Sequence, residues 1–345
     1  MSADIKADLK NAKSPRISIL CPILNVGKYI AETIESVQAQ SFKDWELIIM
    51  DGVSKDDTLP IIRKYAEHDP RIRLYSEPNE GSWHSYDKTF DLARGDFVCN
   101  ICGQDGFLDR DWFAKCIKAF DTNPDVSLVW ALGEVKTEDG KLLHGKYDTY
   151  YGQFMRNESA GAKARNIVMK GFQVVRDLLF GGAERRRVLF DNIFSRHAKL
   201  KLNLLTKRSF ANGVPQKEDW FLYWLDTGLS FLDLSMMIAR NVWLSCIPRY
   251  QLGNPVIEYL SDFFYNFNSR GYLAYFIPTR AVFARMHPGN SYARAGREMH
   301  ERMQRYLNRV MNLREELTRT GGPVTFLNRE GKPIATRRIS HGAWV

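Results

Sequence analysis

The sequence has 345 residues and carries a formal net charge of +9 at pH 7. Hydrophobic residues make up 44% and aromatic residues 12% of the chain, which excludes a disordered protein and supports a sizeable buried core. The length fits one large domain, or one core domain with an elaboration. The positive balance favours anionic partners such as nucleotides, phospholipid surfaces or nucleic acid, and it is equally compatible with a soluble basic protein.

The five cysteines are too few and too scattered for a disulfide framework, so a reducing compartment is expected. The opening stretch, residues 1–14, is polar and is predicted to be flexible. The sequence contains no run of ~20 apolar residues of the kind that spans a membrane as a helix. These features together predict a cytoplasmic location.

The first 135 residues alternate between short apolar runs and stretches with apolar residues at helical spacing. This alternation predicts strands joined by crossover helices, and therefore a mostly parallel sheet. Because the strands are apolar throughout, the sheet should be covered by helices on both faces. The predicted strands are 16–21, 45–51, 71–77 and 96–102, and the predicted helices between them are 27–40, 56–68 and 82–94.

Capping and turn residues set the predicted boundaries of these elements. Asp56 or Asp57 is placed to cap the second helix, and Gly95 is placed to end the third as a C-terminal glycine. The helix after the fourth strand is predicted to start at Asp109. The segment that follows is predicted to form a strand and a hairpin, with Asp139-Gly140 as the turn.

Polar side chains follow each predicted strand. In parallel sheets, ligands bind beyond the carboxyl ends of the strands, where the strand order reverses. An acid follows three of the four strands, although loops also collect polar residues by default. The candidate ligand-binding residues at this edge are Asn25, Asp51, Ser54, Glu77, Gln104 and Asp105.

Two stretches resemble the family 2, GT-A type, nucleotide-sugar glycosyltransferases. They are ISILCPILNVGKYIAETIESVQAQSFKDWELIIMDGVSKDDT and SEPNEGSWHSYDKTFDLARGDF, within residues 15–135. The resemblance implies an α/β GT-A fold, a Rossmann-like, mostly parallel sheet flanked by helices. It also implies a helical and aromatic C-terminal elaboration on the acceptor side.

The resemblance implies a glycosyltransferase that moves a sugar from a nucleotide-diphosphate donor, with a UDP-sugar favoured, to a glycan, lipid-linked or small-molecule hydroxyl acceptor. Such an enzyme holds a nucleoside, neutralises a leaving diphosphate and removes a proton from the acceptor. The family expectation is inversion at the anomeric carbon. The alternative is a catalytically inactive protein of this fold that binds nucleotide sugars or partners.

The resemblance also implies nucleotide contacts at the ends of the first four strands. Asp51 is expected to accept hydrogen bonds from the uracil imide or a ribose hydroxyl, or else to cap its own turn. Glu77 is either a nucleotide contact or a loop acid. The full set of expected nucleotide-binding residues is Pro22, Ile23, Asn25, Asp51, Ser54, Glu77 and Gln104.

The fourth strand departs from the family pattern. The family ends this strand with Asp-x-Asp, one carboxylate of which binds a divalent metal, whereas this chain has Cys102-Gly103-Gln104-Asp105. Asp105 is the predicted ligand of Mn²⁺ or Mg²⁺. Gln104 can hydrogen-bond ribose or phosphate but offers no anionic ligand. Gly103 is interpreted as permitting close approach of a ligand. Cys99 and Cys102 are interpreted as strand packing, because no second cysteine pair completes a zinc site.

Further contacts come from later segments that resemble family motifs. ARMHPGNSY resembles a late Arg-x-His segment, so His287 is predicted to reach the metal, as a second ligand, or the pyrophosphate, with help from Arg285, or else to be a structural histidine. Trp83 and His84 depart from the family form of their helix. They are predicted as donor or acceptor contacts, with surface divergence as the alternative.

The predicted catalytic base lies in VPQKEDWFLYWLDTG, which resembles the family's Glu-Asp-Trp segment. Asp219 is the predicted base and Glu218 its neighbour. Acids at a helix start have another explanation, since they complement the positive end of the helix dipole.

Four regions are predicted: the flexible N-terminus 1–14, a nucleotide-sugar-binding half 15–135, an acceptor-binding half 136–295, and a C-terminal amphipathic helix with a basic tail, 296–345. The amphipathic helix suits docking on the catalytic domain, pairing with another subunit, or lying on a membrane surface. Homo-oligomerisation and peripheral association with the inner face of a membrane are therefore left open. Nucleic acid is not an expected partner, because no aromatic and basic module supports it.

Overall fold

The structure is a computed structural model. It describes residues 14–78, 82–143, 216–228, 231, 233–247, 259–287, 296–340 and 343–345. The side chains of Ser82, Trp83, Thr227, Tyr259 and residues 296–304 are outside the description. The predicted flexible N-terminus, apart from its last residue, and most of the predicted acceptor-binding half also lie outside the described residues.

The strands predicted in the first half of the chain are present, with small shifts at their ends. The described strands are β1 Ile17–Ile23, β2 Trp45–Asp51, β3 Ile72–Ser76, β4 Phe97–Asn100, β5 Gly106–Phe107, β6 Val126–Thr137, β7 Leu142–Leu143, β8 Met237–Ala239, β9 Leu273–Met286, β10 Pro323–Leu327, β11 Pro333–Ser340 and β12 Ala343–Trp344.

The predicted helices are also present. The described α-helices are α1 Ile30–Gln38, α2 Thr58–His68, α3 Ser82–Leu92, α4 Trp112–Thr122, α5 Glu218–Thr227, α6 Arg240–Cys246, α7 Tyr259–Ser269 and α8 Gly296–Thr320. Among the described residues, no helix combines the length and apolar character required to cross a bilayer.

The main sheet has the strand order β3-β2-β1-β4-β8-β6-β9-β5, and β7 pairs with β6. Strands β1 to β4 are parallel, and β6 is parallel to β9. The short strand β8 lies between β4 and β6 and runs antiparallel to both. Consequently β1 to β4, β6 and β9 all point the same way, and their carboxyl ends share one edge. The expected GT-A fold class, a mostly parallel α/β sheet flanked by helices, is confirmed.

The core follows from the apolar patterns. Strand β2 is buried along its whole length, as expected for a central strand covered on both faces. Helix α1 turns Ile30, Ile34 and Val37 inward, which is the face that their helical spacing predicts. An aromatic cluster covers the other half of the sheet, where Trp130 of β6 contacts Trp220 and Phe276 edge-on or tilted.

The C-terminal tail, for which the sequence indicated only basic character, forms a small antiparallel sheet of β10, β11 and β12. Its inner face buries Val324, Phe326 and Ile339 in the same core as the main sheet. The amide of Leu327 donates to the carbonyl of Gly271, just before β9, at 3.0 Å. This packing makes the tail part of the fold.

The roles predicted for Gly95 and Asp109 at helix boundaries are wrong, whereas the prediction that Asp56 or Asp57 lies at the start of α2 as its cap is confirmed in part. Gly95 has no left-handed backbone; a Cβ there would lie 2.6 Å from the Ser18 nitrogen, so the glycine permits close strand contact. Asp57 occupies the N-cap position of α2 without a capping side-chain bond, and Asp56 accepts from the amide of Thr58 instead. Helix α4 begins at Trp112, after a turn in which the Asp109 carboxylate accepts the amide of residue 111.

Candidate active site

The common carboxyl edge of the sheet gathers most of the predicted binding residues. Asp51 ends β2, and the Gln104-Asp105 pair follows β4. Strand β9 runs parallel to β6 and brings Arg285 and His287 to the same edge. Residues as far apart in the sequence as Asp51 and His287 therefore meet because parallel strands end together.

The loops after β1 and β2 are joined by side-chain hydrogen bonds. The amide of Asn25 donates to Ser54 Oγ at 2.8 Å, and Asn25 Oδ1 accepts from the amide of Lys55 at 2.8 Å. Asp56 accepts from the amide of Gly27 at 3.0 Å. Asn25 has a φ of 52°, in the left-handed region that asparagine tolerates better than most residues. The two loops thus form one preorganised wall of the site.

The carboxylate of Asp51 is fully buried at the base of this wall. It accepts hydrogen bonds from the amide and the hydroxyl of Ser54. A further bond comes from Ser76 Oγ at the end of β3, at 2.8 Å. The carboxylate thus stabilises its own turn, which is one of the two roles weighed for Asp51, and its contact with a nucleotide stays a prediction.

Pro22, Ile23 and Glu77 are at the edge, but they differ in accessibility. Ile23 is only 6% exposed and packs onto Gly103, where a Cβ would come within 2.7 Å of Ile23 Cγ2. Gly103 is therefore required for side-chain packing, and its interpretation as a site of ligand approach is wrong for this face. Glu77 forms an ion pair with Lys88 of α3. Pro22 is half-buried.

Asp105 lies deep in the edge, with 5% of its surface exposed. Its Oδ1 accepts from the backbone amide of Arg285 at 2.8 Å, and its carbonyl accepts from Thr33 Oγ1 at 2.7 Å. Burial raises the pKa of the Asp105 carboxyl to about 7, against the lowering effect of the Arg285 amide.

The side chain of Gln104 faces His287. Nε2 of His287 lies 3.2 Å from Gln104 Oε1, and with the proton on Nε2 the imidazole donates to the amide oxygen. Arg285 holds the turn at Gln104 in place, because its Nε donates to the carbonyl of Gln104 at 3.2 Å. The structure therefore brings Gln104, Asp105, Arg285 and His287 together, as their assignment to one site requires.

Asp233 is a further acid at this place that the sequence analysis did not assign to the site. It opens a short 3-10 turn that leads into β8, beside β4. Loss of hydration raises the pKa of Asp233 to about 6, and its charge in turn raises the pKa of Asp105. The sequence feature that could have identified Asp233 is its position as an isolated acid within the apolar stretch FLDLSMMIA.

The donor atoms around Asp105 suit a divalent cation poorly. Mg²⁺ and Mn²⁺ favour anionic oxygen ligands, whereas the neighbouring position is the neutral Gln104, whose oxygen contacts His287. Within the described part of the chain, no group of three His, Cys, Asp or Glu side chains is placed to hold a metal. The predicted metal role of Asp105 and His287 therefore finds no matching ligand set here. Cys99 is buried, which raises its thiol pKa and agrees with a packing role.

Glu218 and Asp219 occupy a different place. They open α5 as predicted, but Gln216, just before them, bonds through its amide side chain to the backbone of Phe276 at 2.8 and 3.1 Å. Phe276 pairs with residue 130 of β6 and Arg285 with residue 136, so the two anchor points are about 20 Å apart at ~3.3 Å per residue. Asp219 is exposed and Glu218 pairs with Arg337 at 3.0 Å. The role of Asp219 and Glu218 as catalytic base and neighbour stays a prediction.

His84 lies half-buried in α3, the helix that covers the strands carrying Asp51 and Asp105. The Trp83 side chain is outside the described residues. The contacts predicted for both residues stay predictions.

The sequence model of the family described as Glycosyl transferase family 2 matches residues 18–180. A chondroitin synthase of Escherichia coli is 30% identical over 134 residues, which are 39% of this chain and 19% of that protein. A hyaluronan synthase of Pasteurella multocida is 28% identical over 134 residues, which are 39% of this chain and 14% of that protein.

Among solved structures, S. aureus TarS 1-349 in complex with UDP-GlcNAc is similar at 14% identity and a TM-score of 0.48, covering 86% of this chain and 67% of that one. The two curated relatives are much longer proteins, and the matched stretch spans less than a fifth of either.

Proposed function

Because the sequence model of glycosyl transferase family 2 matches residues 18–180 of this chain, we propose that the protein transfers a sugar from a nucleotide-diphosphate donor to a hydroxyl group. A UDP-sugar is the favoured donor, and the acceptor is a glycan, a lipid-linked sugar or a small molecule. The names of the two curated relatives, a chondroitin synthase and a hyaluronan synthase, support a role in polysaccharide biosynthesis.

One observation carries this proposal: the carboxyl edge of the sheet brings Asn25, Asp51, Gln104, Asp105 and His287 together. The edge lies where ligands of open α/β sheets bind. The loops after β1 and β2 are joined by hydrogen bonds between backbone amides and side chains. These loops therefore lose little conformational entropy when a nucleotide binds. A rigid, polar and buried edge of this kind suits a nucleoside with a charged tail.

The base and ribose are proposed to lie against Asp51. Its carboxylate accepts hydrogen bonds, and the uracil imide is an N–H donor of matching polarity. Pro22, Asn25, Ser54 and Glu77 complete the proposed nucleoside pocket, with Ile23 packed behind it. Gln104 is proposed to contact ribose or phosphate through its amide.

In the transfer step, the acceptor oxygen forms a bond to the anomeric carbon while the bond from that carbon to the diphosphate breaks. The electron pair of the broken bond stays on the diphosphate, and the hydroxyl proton goes to a base. Attack opposite the leaving group inverts the anomeric centre. The candidates for the base are Asp219, with Glu218 as its neighbour, and Asp233, which is supported by its place beside Asp105.

Residues 15–135 are proposed to bind the donor and residues 136–295 the acceptor, with Trp83, His84 and Arg285 near the transferred sugar or the acceptor. Action in the cytoplasm, with peripheral contact to the inner face of a membrane, agrees with the net charge of +9. Assembly into a homo-oligomer is open to test by light scattering.

A second candidate function is nucleotide-sugar binding without catalysis. The neutral Gln104, which stands in the stretch where the family pattern has acids, favours it. Turnover distinguishes the two functions. Purified protein is incubated with UDP- and GDP-sugars and short glycan acceptors, and release of nucleoside diphosphate is measured.

The proposed transferase releases nucleoside diphosphate in an acceptor-dependent manner, and substitution of its base abolishes this release while donor binding persists. Asp219→Asn and Asp233→Asn identify which acid acts, and Asp226→Asn, an exposed acid on α5, is the matched control. Donor binding without release by any preparation supports the non-catalytic function. Absence of both binding and release contradicts both functions.

A further inference from the structure

The diphosphate of a bound donor requires positive charge near Gln104 and Asp105, since a glycosyl donor leaves as an anion. The family resemblance implies a divalent cation at this place. The residues do not suit one, because Gln104 is neutral and its oxygen contacts His287, while the Asp105 carboxylate is buried and bonded to the Arg285 amide. Another source of positive charge is therefore needed.

Basic side chains converge on the ring of Tyr29, directly beside this turn. Lys28 Nζ lies 5.3 Å and Arg285 Cζ 5.0 Å from the ring centre, and the His287 ring centre lies 5.2 Å from it. His287 also contacts the side chain of Gln104 at 3.2 Å. Three basic residues thus lie around the ring of Tyr29, whose π face attracts cations.

Lys136, near the end of β6, adds a further cation. It pairs with Glu32 of α1, which also pairs with Arg285, while Lys28 pairs with Glu138 at 2.7 Å. The cations Lys28, Lys136 and Arg285 outnumber their ion-pair partners Glu32 and Glu138 by one. The Asp105 carboxylate beside Arg285 offsets this surplus when it is ionised. Binding of a diphosphate therefore depends on Lys28 exchanging its partner and on His287.

Resting on the function proposed above, we propose that side-chain cations replace the divalent metal as the diphosphate-neutralising group of this site. Lys28, Lys136 and His287 would contact the phosphate oxygens. The Lys28 ion pair is the most easily exchanged, because Lys28 and Glu138 are 64% and 46% exposed and exposed pairs are weak. A phosphate group can therefore take over Lys28 from Glu138.

Arg285 contributes a fixed positive charge. Its guanidinium pairs with Glu32 and donates to the carbonyls of Gln104 and Thr137 at 3.2 and 3.1 Å. The side chain is 4% exposed, so it stays in place when a ligand arrives. This fixed cation holds the Gln104 turn against His287 and stabilises negative charge on the leaving diphosphate without reorganisation.

Nucleotide affinity with and without metal tests the proposal. UDP, with GDP in a parallel titration, is titrated calorimetrically into the full chain in EDTA and again in excess Mn²⁺. The proposal predicts dissociation constants that agree within about threefold, a difference below ~1 kcal/mol. Binding that requires Mn²⁺ would overturn the metal-free neutralisation while leaving the nucleotide-binding function intact. Absence of binding in both conditions would overturn the proposed function, and this inference with it.

Charge-removing variants identify the groups involved. In EDTA, Lys28→Met is expected to weaken UDP binding about tenfold, which corresponds to ~1.4 kcal/mol. Lys118→Met, an exposed lysine on α4, is the matched control and should bind as the unmodified chain does. Because Lys28 is largely exposed, its variant should fold normally, and an unchanged melting temperature verifies this.

Ionic strength supplies an independent check. Contacts between phosphates and exposed ammonium groups are screened by salt. The affinity measured in EDTA should therefore fall as KCl is raised, and it should fall less steeply in Lys28→Met. An affinity independent of salt, or equal to that of Lys28→Met, would contradict the proposed role of the lysine.

Discussion

The buried Asp105 carboxyl should make the stability of this protein depend on pH around neutrality. Its pKa lies at about 7 in the folded chain and near the ordinary value of 3.8 in the unfolded chain. Between these two values the folded state holds more protons than the unfolded state, so the free energy of unfolding falls as pH rises. Below the unfolded pKa and above the folded pKa the effect is constant.

The size of the effect follows from the two pKa values. A change of one pKa unit corresponds to 1.36 kcal/mol, so ionisation of buried Asp105 costs up to about 4 kcal/mol of stability between pH 4 and 8. Asp233, whose pKa lies at about 6, contributes in the lower part of this range. The part between pH 6 and 8 belongs mainly to Asp105.

The substitution Asp105→Asn isolates the contribution of Asp105. Asparagine retains an oxygen that accepts the Arg285 amide and cannot ionise, so the variant should be more stable than the unmodified chain at pH 8 and nearly equal to it at pH 4. Urea unfolding followed by fluorescence at several pH values measures this difference. Asp57→Asn, at an exposed position without a capping bond, is the control. A pH slope between 6 and 8 that survives in Asp105→Asn would refute the reasoning.

Three further substitutions test the packing of the sheet and the backbone of its loops. Gly95→Ala places a Cβ 2.6 Å from the backbone nitrogen of Ser18 and should cost about 1–3 kcal/mol of stability in urea unfolding, whereas an unchanged midpoint would contradict the close contact. Glu46→Gln removes the buried partner of Arg94 at 2.7 Å and should cost about 3–5 kcal/mol, so a loss below ~1 kcal/mol would show that the pair is dispensable. Val53→Gly relieves a φ of 63° and should raise the melting temperature by stabilising the fold about 1 kcal/mol, and a lower melting temperature would argue against backbone strain there.

The sequence predicted the sheet well because its strands are apolar throughout. The run at 45–51 coincides with β2, and the helical spacing of Ile30, Ile34 and Val37 identified the buried face of α1. The location of the site at one edge of the sheet could be predicted because parallel strands end together. The resemblance of the late Arg-x-His segment assigned His287 to the same site, and the structure places it beside Gln104.

Other features depend on contacts between distant segments. Strand β8 is three residues long, too short for alternation to reveal it, yet it reverses direction between β4 and β6. It also carries Asp233 to the site through the preceding turn. The reason for Gly103 was hidden because the clash of a Cβ with Ile23 exists only in the folded chain.

Hydrogen–deuterium exchange with and without UDP tests most directly whether this edge holds a nucleotide. If the edge holds a nucleotide, UDP should slow exchange in residues 22–28, 51–56 and 103–105, which end or follow β1, β2 and β4. Binding of a nucleotide at this edge would be contradicted if saturating UDP leaves these three segments unprotected or protects only other segments.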